Sequence, residues 1–325
     1  MEMEEMVALS VKHNVSDLHL CSELPARWRR KGELEYAPEG APQPDALLSR
    51  WLSAEQQCVL AQQGQLDFAV TLSNGARLRA NAFQQSHGVS LALRLLPQTA
   101  PELDALGAPP RIRELLAMQD GLILVTGATG CGKSTTLAAM VNELNKTLSG
   151  HILTLEDPIE YLYASDKCLI QQREIGTHCS SFSEGLRGAL REDPDVILLG
   201  ELRDSDTIRL ALTAAETGHL VLATLHTRGA TQAVERLVDV FSAEEKNVIR
   251  SQLAGSLKAV LAQKLIETKQ GRRAALFELL INNTAVANLI RDGKTHQLPG
   301  VLQTGQQFGM QSFEQSLQKL SLSQA

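Results

Sequence analysis

The sequence predicts an α/β protein in which a doubly wound parallel sheet is preceded by a small α+β domain. Three observations support this prediction. Alternating apolar residues and an Asn-Gly pair occur in the first third of the chain, prolines cluster near residue 100, and short apolar runs then alternate with helical stretches. A chain of 325 residues is long enough for two such domains.

The first domain is predicted from its strands. Apolar and polar residues alternate over 66–72, which is typical of a half-buried strand. Asn74-Gly75 favours a tight hairpin turn, and the segments 77–83 and 89–95 read as the strands that follow it. Ser53, with Gln56 three residues later, predicts the start of a helix.

The stretch 97–110 is predicted to be a linker. It holds four of the eleven prolines, which lack an N–H donor and push the preceding residue out of helical conformation. This places the first domain at residues 1–96 and the second at residues 111–325.

The second domain carries the pattern of a buried parallel sheet. Short apolar runs at 121–125, 151–155, 196–199 and 220–225 are separated by helical stretches, one of them opened by Ser181 and Glu184. From about residue 230 to 325 we expect mainly helix. One helix there should begin at Ser242 and carry apolar residues at helical spacing as far as Leu261, and the Gln/Ser-rich last fifteen residues are expected to be loosely ordered.

Composition excludes several classes of protein. The 31 Lys+Arg and 37 Asp+Glu give a net charge of −6, which argues against a dedicated nucleic-acid binder. The five cysteines form no C-x-x-C pair, so a zinc module and a disulfide framework are not expected. The start of the chain is acidic, unlike a signal peptide, and no apolar run reaches the length of a membrane span. We therefore expect a cytoplasmic protein without direct membrane insertion, which leaves docking on a membrane complex open.

One segment has the pattern of a phosphate-binding loop. It reads Gly127, Ala128, Thr129, Gly130, Cys131, Gly132, Lys133, Ser134 and is followed by Thr135 at the start of a predicted helix. The motif G-x-x-x-x-G-K-[ST] between a buried strand and a helix lets backbone N–H groups surround phosphate oxygens. Lys133 should reach the β- and γ-phosphates, and Ser134 should bind Mg²⁺. The segment predicts binding of ATP with magnesium.

Acidic residues follow two of the predicted strands. Glu156 and Glu160 come just after the strand at 151–155, where they would face Mg²⁺ and the phosphates, although a solvated acidic turn is the alternative. Glu201 follows the strand at 196–199 and is the candidate to orient or deprotonate the attacking water. Gly200 stands where many P-loop ATPases carry a magnesium-binding aspartate, so we assign that role to the Glu156–Glu160 cluster.

Two histidines, His219 and His226, bracket the strand at 220–225. His226 at the end of the strand could sense the γ-phosphate, and His219 is a second candidate at the nucleotide. The alternative for each is a purely structural histidine.

Taken together, these segments resemble the secretion ATPases of type II and type IV systems, and within that family the retraction ATPases of type IV pili. The resemblance covers nearly the whole chain and rests on the order of Ser16–Leu20, the P-loop, Leu155–Glu160, Gln172–Gly176, Leu190–Glu201 and Gly218–Thr227. It implies a homohexamer of PAS-like first domains and RecA-like ATPase domains, with ATP between the two domains. It further implies that arginines of the first domain reach the phosphates, with Arg79 and Arg94 as the best matches and Arg77 left open.

The resemblance separates retraction from extension. The four-cysteine zinc module of extension members is missing here, and a retraction motif corresponds to Ala285–Asp292, with Ala287 and Asp292 replacing an arginine and a glutamate. Ala128 and Cys131 also depart from the usual P-loop. The implied function is ATP-driven pilus retraction, or a related secretion process, through an inner-membrane platform protein. The alternatives are a nucleic-acid translocase and an ATP-binding assembly or regulatory homologue without motor output.

Overall fold

The computed structural model describes residues 1–97, 99–268, 271 and 273–323. The chain divides into two compact units, Met1–Thr99 with Glu160–Leu162, and Ala100–Ile159 with Tyr163–Ala325. Gln98 of the predicted linker, and residues 324 and 325 of the predicted tail, lie outside the described residues.

The described part of the first unit is an antiparallel sheet with helices. In chain order its elements are α1 (Met3–Lys12), β1 (Val15–Cys21), β2 (Arg27–Arg30), β3 (Glu33–Tyr36), α2 (Pro44–Trp51), α3 (Ala54–Gln63), β4 (Gln65–Thr71), β5 (Arg77–Gln85) and β6 (Gly88–Leu95). The strand order is β3-β2-β1-β6-β5-β4. Alternate strand residues such as Leu18, Leu78 and Leu93 are buried together with Met6 of α1 and Leu47 of α2. This agrees with the predicted α+β fold.

Two local predictions in this unit are confirmed. The Ser53 hydroxyl accepts from the backbone N–H of Gln56, and the Gln56 side chain accepts from the backbone N–H of Ser53, so the expected capping box begins α3. Between β4 and β5, Gly75 has φ +83° and the Asn74 side chain accepts from the N–H of Ala76. The Asn-Gly pair therefore forms the predicted turn.

The second unit is built on a mostly parallel sheet. Its described elements are α4 (Arg111–Leu116), β7 (Gly121–Thr126), α5 (Lys133–Thr147), β8 (His151–Glu156), β9 (Leu169–Glu174), α6 (Phe182–Ala189), β10 (Val196–Leu199), α7 (Ser205–Glu216), β11 (Leu220–Leu225), α8 (Ala230–Asp239), α9 (Lys246–Ser256), β12 (Leu257–Glu267), β13 (Arg273–Ile281), α10 (Thr284–Arg291), the 3₁₀ turn Thr295–Gln297, α11 (Leu298–Thr304), the 3₁₀ turn Gly305–Phe308 and α12 (Phe313–Ser323).

The sheet of this unit has the order β13-β12-β7-β11-β10-β8-β9, in which β13 is antiparallel to β12 and the other neighbours are parallel. The four strands expected from the sequence are β7, β8, β10 and β11, and their residues are almost completely buried. The predicted fold class, a doubly wound parallel sheet after a small α+β domain, is confirmed.

The prediction of a mainly helical region from residue 230 is wrong in its middle. The residues 242–245 form a turn, α9 runs only from Lys246 to Ser256, and Leu257, Val260 and Leu261 belong to β12. Because residues 259–263 of β12 are buried on both faces, they carry no alternation, and a short continuous apolar run does not distinguish a strand from a helix.

The predicted loose tail is a helix attached to the sheet. The Gln311 amide donates to the carbonyl of Phe277, at 2.9 Å, and the N–H of Phe277 donates to the Ser316 hydroxyl, at 3.1 Å. These bonds join the segment around α12 to β13. Polar residues of the tail therefore serve here as hydrogen-bond partners of a strand.

Most of the predicted linker belongs to the second unit. Leu103 is buried, Asp104 forms an ion pair with Arg113 at 2.8 Å, and Arg113 also bonds Glu143 of α5 at 3.2 Å. Glu102 is paired with Lys146, further along α5. Residues 100–110 therefore lie along the helix that follows the P-loop.

Candidate active site

The parallel strands of the second unit end at a common edge. In the sheet register, Leu225 of β11 lies opposite Thr126 of β7, and Leu199 of β10 lies opposite Leu155 of β8. The P-loop, His226 and Glu201 lie in the segments that follow these strands, and Glu156 is the last residue of β8. Parallel strands place such loops side by side, which is where α/β sheets bind ligands.

The P-loop connects β7 to α5, which begins at Lys133. Ala128, Thr129, Gly130 and Ser134 are exposed, whereas Cys131 is buried and burial raises the pKa of its thiol. A Cβ atom at Gly127 would come within 2.4 Å of the main-chain oxygen of Gln263, so only glycine fits there. The loop is open to solvent at its tip and closely packed at its base.

Lys133 is held beneath this loop and is only 8% exposed. Its Nζ donates to the carbonyl oxygens of Gly127 and Ala128, at 2.8 and 3.1 Å, and lies 3.3 Å from Nδ1 of His226. The ammonium group is therefore placed inside the curve of the loop, as the sequence predicted for a phosphate ligand.

His226 joins Lys133 to the acid after β10. Its Nε2 lies 3.0 Å from Oε1 of Glu201, whose other oxygen bonds Arg203 at 2.6 Å. An ammonium group can only donate, so Nδ1 of His226 must accept a hydrogen bond from Lys133. Nε2 then carries the hydrogen and donates it in a hydrogen bond to Glu201. This tautomer satisfies both neighbours.

The pKa of Glu201 is shifted by opposing effects. Burial raises this pKa, because the side chain is only 16% exposed, but the hydrogen bond from Arg203 and the neighbouring His226 outweigh burial. The net pKa lies below the usual value, and the pKa of Arg203 is raised in return. Glu201 is therefore held as a carboxylate.

Two threonines fix the position of His226, and sequence reasoning missed their role. The backbone N–H of Thr227 donates to the Thr126 hydroxyl at 2.9 Å, and the two hydroxyl groups lie 2.7 Å apart. Thr126 is fully buried at the end of β7. These bonds tie the loop after β11 to the start of the P-loop.

The two acids predicted to hold magnesium, Glu156 and Glu160, belong to different units of the chain. Glu156 lies at the end of β8, where its Oε1 accepts from the Thr154 hydroxyl and from the Gln172 amide, at 2.6 and 3.1 Å. Gly200 donates its N–H to Leu155, and a Cβ there would lie 3.3 Å from that carbonyl, so the site has little room for an aspartate. Glu160 is grouped with the first unit, and its predicted role toward magnesium stays a prediction.

His219 lies away from the P-loop. It immediately precedes β11, whose first residue, Leu220, pairs with Gly121 at the start of β7, and its Nδ1 contacts the carbonyl of Ala214 at 3.1 Å. The P-loop follows the opposite end of β7. This placement favours the structural alternative, and the predicted contact of His219 with the nucleotide stays a prediction.

In the first unit, the two predicted arginines are neighbours across strands. Arg79 of β5 is directly opposite Arg94 of β6, which is in turn opposite Asp17 of β1. Arg94 is 64% exposed along its side chain and its Nε bonds Asp17 at 2.9 Å, while Arg79 is exposed. Their predicted role toward phosphate stays a prediction.

A cavity of about 630 Å³ lies beside the P-loop in the second unit. It is lined by Asp104–Pro110 from the predicted linker, Gly132 and Thr135 from the loop and α5, Gln263 from β12, and Lys319 from α12. Its volume is suitable for a small organic ligand. The wall formed by α12 could not be expected from a tail that reads as loosely ordered.

The parallel sheet, the P-loop between β7 and α5, and the Lys133–His226–Glu201 contacts define a P-loop ATPase. The chain belongs to the family of type II/IV secretion system proteins, whose pattern it matches over residues 54–308. This confirms the resemblance inferred from the sequence.

Three comparisons place the chain within this family. It is 70% identical over 318 residues, 98% of either chain, to a protein of Escherichia coli K12 described as "Uncharacterized protein YggR". It is 45% identical over 323 residues, 98% of this chain and 94% of the relative, to the type IV pilus retraction ATPase PilT of Pseudomonas aeruginosa PAO1. It also matches a crystal structure of the pilus retraction motor PilT with bound ADP, with a TM-score of 0.91 and 40% identity, covering 98% of this chain and 93% of that one.

Within the described residues, no helix has the length and apolar character needed to cross a membrane.

Proposed function

We propose that this chain is the ATPase subunit of a motor that drives retraction of a type IV pilus or a related pseudopilus. The observation that carries the proposal is the continuous contact from Lys133 through His226 to Glu201, which joins a phosphate-binding cation to a candidate base. The similarity to PilT along nearly the full length of both chains supports retraction as the output.

ATP binding would change the partners of Lys133. Phosphate oxygens are stronger acceptors for an ammonium group than the carbonyls of Gly127 and Ala128 that it contacts now. Because the same ammonium group contacts Nδ1 of His226, its movement toward phosphate would alter that contact and, through Nε2, the hydrogen bond to Glu201. Binding of the γ-phosphate would therefore change the contacts of the proposed general base.

Glu201 is the proposed general base. Its lowered pKa keeps it ionised, so it can orient the attacking water and accept its proton. Arg203 and His226 each bond one of its oxygens, which fixes the direction of the carboxylate. Of these two residues, His226 also contacts Lys133, so occupation of the phosphate site would affect the carboxylate of Glu201.

We expect most ligands of the magnesium ion to come from the nucleotide, with few from the residues at this edge of the sheet. In the part of the chain that the structure describes, no three His, Cys, Asp or Glu side chains are grouped to hold a metal by themselves. The Ser134 hydroxyl and the Glu156 carboxylate are hard oxygen donors of the kind Mg²⁺ prefers. When bound, the ion would neutralise charge on the phosphates.

The cavity beside the P-loop is the proposed place for the nucleoside of ATP. It adjoins Gly132 and Thr135, so a nucleotide with its phosphates in the loop could extend its sugar and base into it. Lys319 from α12 and the segment 104–110 would then contact the base or ribose. This assigns a binding role to two segments that the sequence presented as linker and tail.

The assembled motor is proposed to be a homohexamer. Arg79 and Arg94 would add positive charge where negative charge develops during phosphoryl transfer, so that hydrolysis depends on the first unit. Glu160, grouped with the same unit, remains a proposed second acid. The ring would act on an inner-membrane platform protein and would be cytoplasmic, associated peripherally with that membrane.

Two other functions remain to be separated by experiment. A nucleic-acid translocase predicts ATP turnover that rises strongly when single-stranded DNA is added, whereas the net charge of −6 favours no response. An assembly factor without motor output predicts ATP binding with no hydrolysis, in conflict with the ionised Glu201.

Pilus retraction is tested by deleting the gene and counting surface pili. Deletion should cause pili to accumulate, and wild-type chain supplied in trans should restore the normal number. Chain carrying Glu201→Gln should fail to restore it although the protein is made. Fewer pili after deletion would instead indicate a role in extension and would overturn the proposal.

A further inference from the structure

A buried glutamine outside the P-loop motif contacts the loop from a neighbouring strand. Gln263 lies on β12 and is only 4% exposed. Buried amide groups are costly unless they are hydrogen-bonded, so a glutamine at this depth in a sheet indicates specific partners.

Both partners of the Gln263 side chain belong to the P-loop and its helix. Nε2 donates to the carbonyl oxygen of Cys131 at 2.7 Å, and Oε1 accepts from the Thr136 hydroxyl at 2.6 Å. A carbonyl oxygen can only accept, so the nitrogen of the amide must face Cys131. The orientation of the amide is therefore fixed by the chemistry of its neighbours.

The backbone of Gln263 is equally close to the loop. Because Ala262 pairs with Thr126 in the parallel register of β12 and β7, the next residue, Gln263, lies beside Gly127. A Cβ at Gly127 would come within 2.4 Å of the Gln263 oxygen, and one at Gly132 within 2.8 Å of its Nε2. Gln263 thus packs against the first and the last glycine of the motif.

The bond to Cys131 controls the direction of one peptide group. In a trans peptide the C=O and the N–H point in opposite directions, so holding the Cys131 carbonyl toward Gln263 turns the N–H of Gly132 the other way. Gly132 has φ +95°, and glycine leaves this peptide free to rotate in the absence of an outside contact. A rotated peptide would point its carbonyl oxygen at the phosphates.

We propose that Gln263 is a positioning residue that presents the Gly132 N–H to the phosphates by holding the Cys131 carbonyl on the outside of the loop. The proposal rests on nucleotide binding at the P-loop, as proposed above. It gives β12, which follows the P-loop by more than a hundred residues in the chain, a direct part in phosphate binding.

The test uses ADP and inorganic pyrophosphate on the full-length chain, because pyrophosphate would occupy the loop without the cavity that Gln263 also lines. Gln263→Met keeps the length of the side chain but removes both hydrogen bonds. We expect its affinities for ADP and for pyrophosphate each to fall about tenfold, the effect of losing one well-placed hydrogen bond to a charged group. If wild-type chain itself fails to bind ADP, the proposed nucleotide site is wrong, whatever Gln263 does.

A matched control separates positioning from stability. Asn282, just after β13, also donates its amide to main-chain carbonyls, those of Ala254 and Leu257, at 3.0 and 2.7 Å. Asn282→Ala should lower the melting temperature while leaving the affinity for ADP unchanged. A folded Gln263→Met chain that binds pyrophosphate within about twofold of wild type would overturn the proposal.

A second variant decides the matter if Gln263→Met does not fold. Thr136→Val removes the hydroxyl that fixes the amide but leaves Gln263 in place, so we expect a smaller loss of affinity for ADP and for pyrophosphate, about threefold. A folded Thr136→Val chain that binds ADP as tightly as wild type would contradict the role of this amide.

Discussion

The two units bring charged side chains together in different ways. In the second unit, loops after parallel strands converge, so Lys133, His226 and Glu201 touch although they are far apart in the chain. In the first unit, Arg79 and Arg94 form a row across antiparallel strands, and Arg94 is already paired with Asp17. Converging loops can enclose a ligand, whereas a row of strand residues offers charge on a surface. We therefore expect loss of the enclosed cation in the second unit to affect binding and turnover, and loss of either arginine in the first to affect turnover alone.

The largest effect is expected for Lys133→Ala. Because this ammonium is the cation enclosed by the P-loop, its loss should weaken ATP binding about 100-fold or more and abolish detectable hydrolysis. Isothermal titration with ATP measures the first effect and phosphate release the second. Lys246→Ala, which removes a half-buried lysine paired with Asp239 at 2.8 Å, is the control and should behave as wild type. Tight ATP binding by Lys133→Ala would refute the P-loop assignment.

Arg79→Ala and Arg94→Ala test the other side of the comparison. Each should lower kcat about 100-fold, as loss of a donor that acts on developing charge does, with little change in the affinity for ATP. Lysine at either position should restore only part of the rate, because an ammonium lacks the bidentate fork of arginine. Arg30→Ala is the control, since Arg30 is paired with Glu35 in the same sheet. Equal turnover in all three variants would leave the first unit without a catalytic role.

The two histidines around β11 give an internal comparison within the second unit. His226→Ala breaks the contact between Lys133 and Glu201 and should lower kcat about tenfold. His219→Ala removes a ring that contacts only a main-chain carbonyl in the described structure, so its kcat should match that of wild type. The reverse ranking would mean that the wrong histidine has been assigned to the site.

The smallest effect is a shift in pH dependence. Arg203 stabilises the carboxylate of Glu201, so Arg203→Gln should raise the pKa of Glu201. The carboxylate acts as a base and activity is lost as the pH falls through this pKa, so the acid limb of kcat should move to higher pH in the variant. Arg209→Gln, which breaks an exposed pair with Glu245, should leave the profile in place. An unchanged acid limb in Arg203→Gln would argue against Glu201 as the titrating base.

Local chemistry explains what could be predicted from the sequence. The capping box at Ser53, the Asn74-Gly75 turn and the P-loop each depend on residues within about eight positions of one another, and each is found where expected. The buried strands of the parallel sheet were also recognisable, because their apolar runs are short and bounded by polar loops.

Contacts between distant segments could not be predicted in the same way. Gln263 and Thr126 act through partners in distant segments, and neither stands out in its own segment. The helix predicted through Leu261 failed for a related reason, since a strand buried on both faces has no period that marks it. The sequence places His219 next to a strand of the site but does not show at which end of the sheet it lies. The register of β11 with β7 puts it at the end opposite the P-loop.

The central claim is that Glu201 activates water for hydrolysis of ATP bound at Lys133. Glu201→Gln tests it most directly, by measuring ATP affinity and the rate of phosphate release on the same purified protein. We predict an affinity within a few-fold of wild type and a kcat lower by about three orders of magnitude, because the amide can hold water but cannot accept its proton. Phosphate release at the wild-type rate would contradict the claim and move the base to another acid, with Glu160 the first to test.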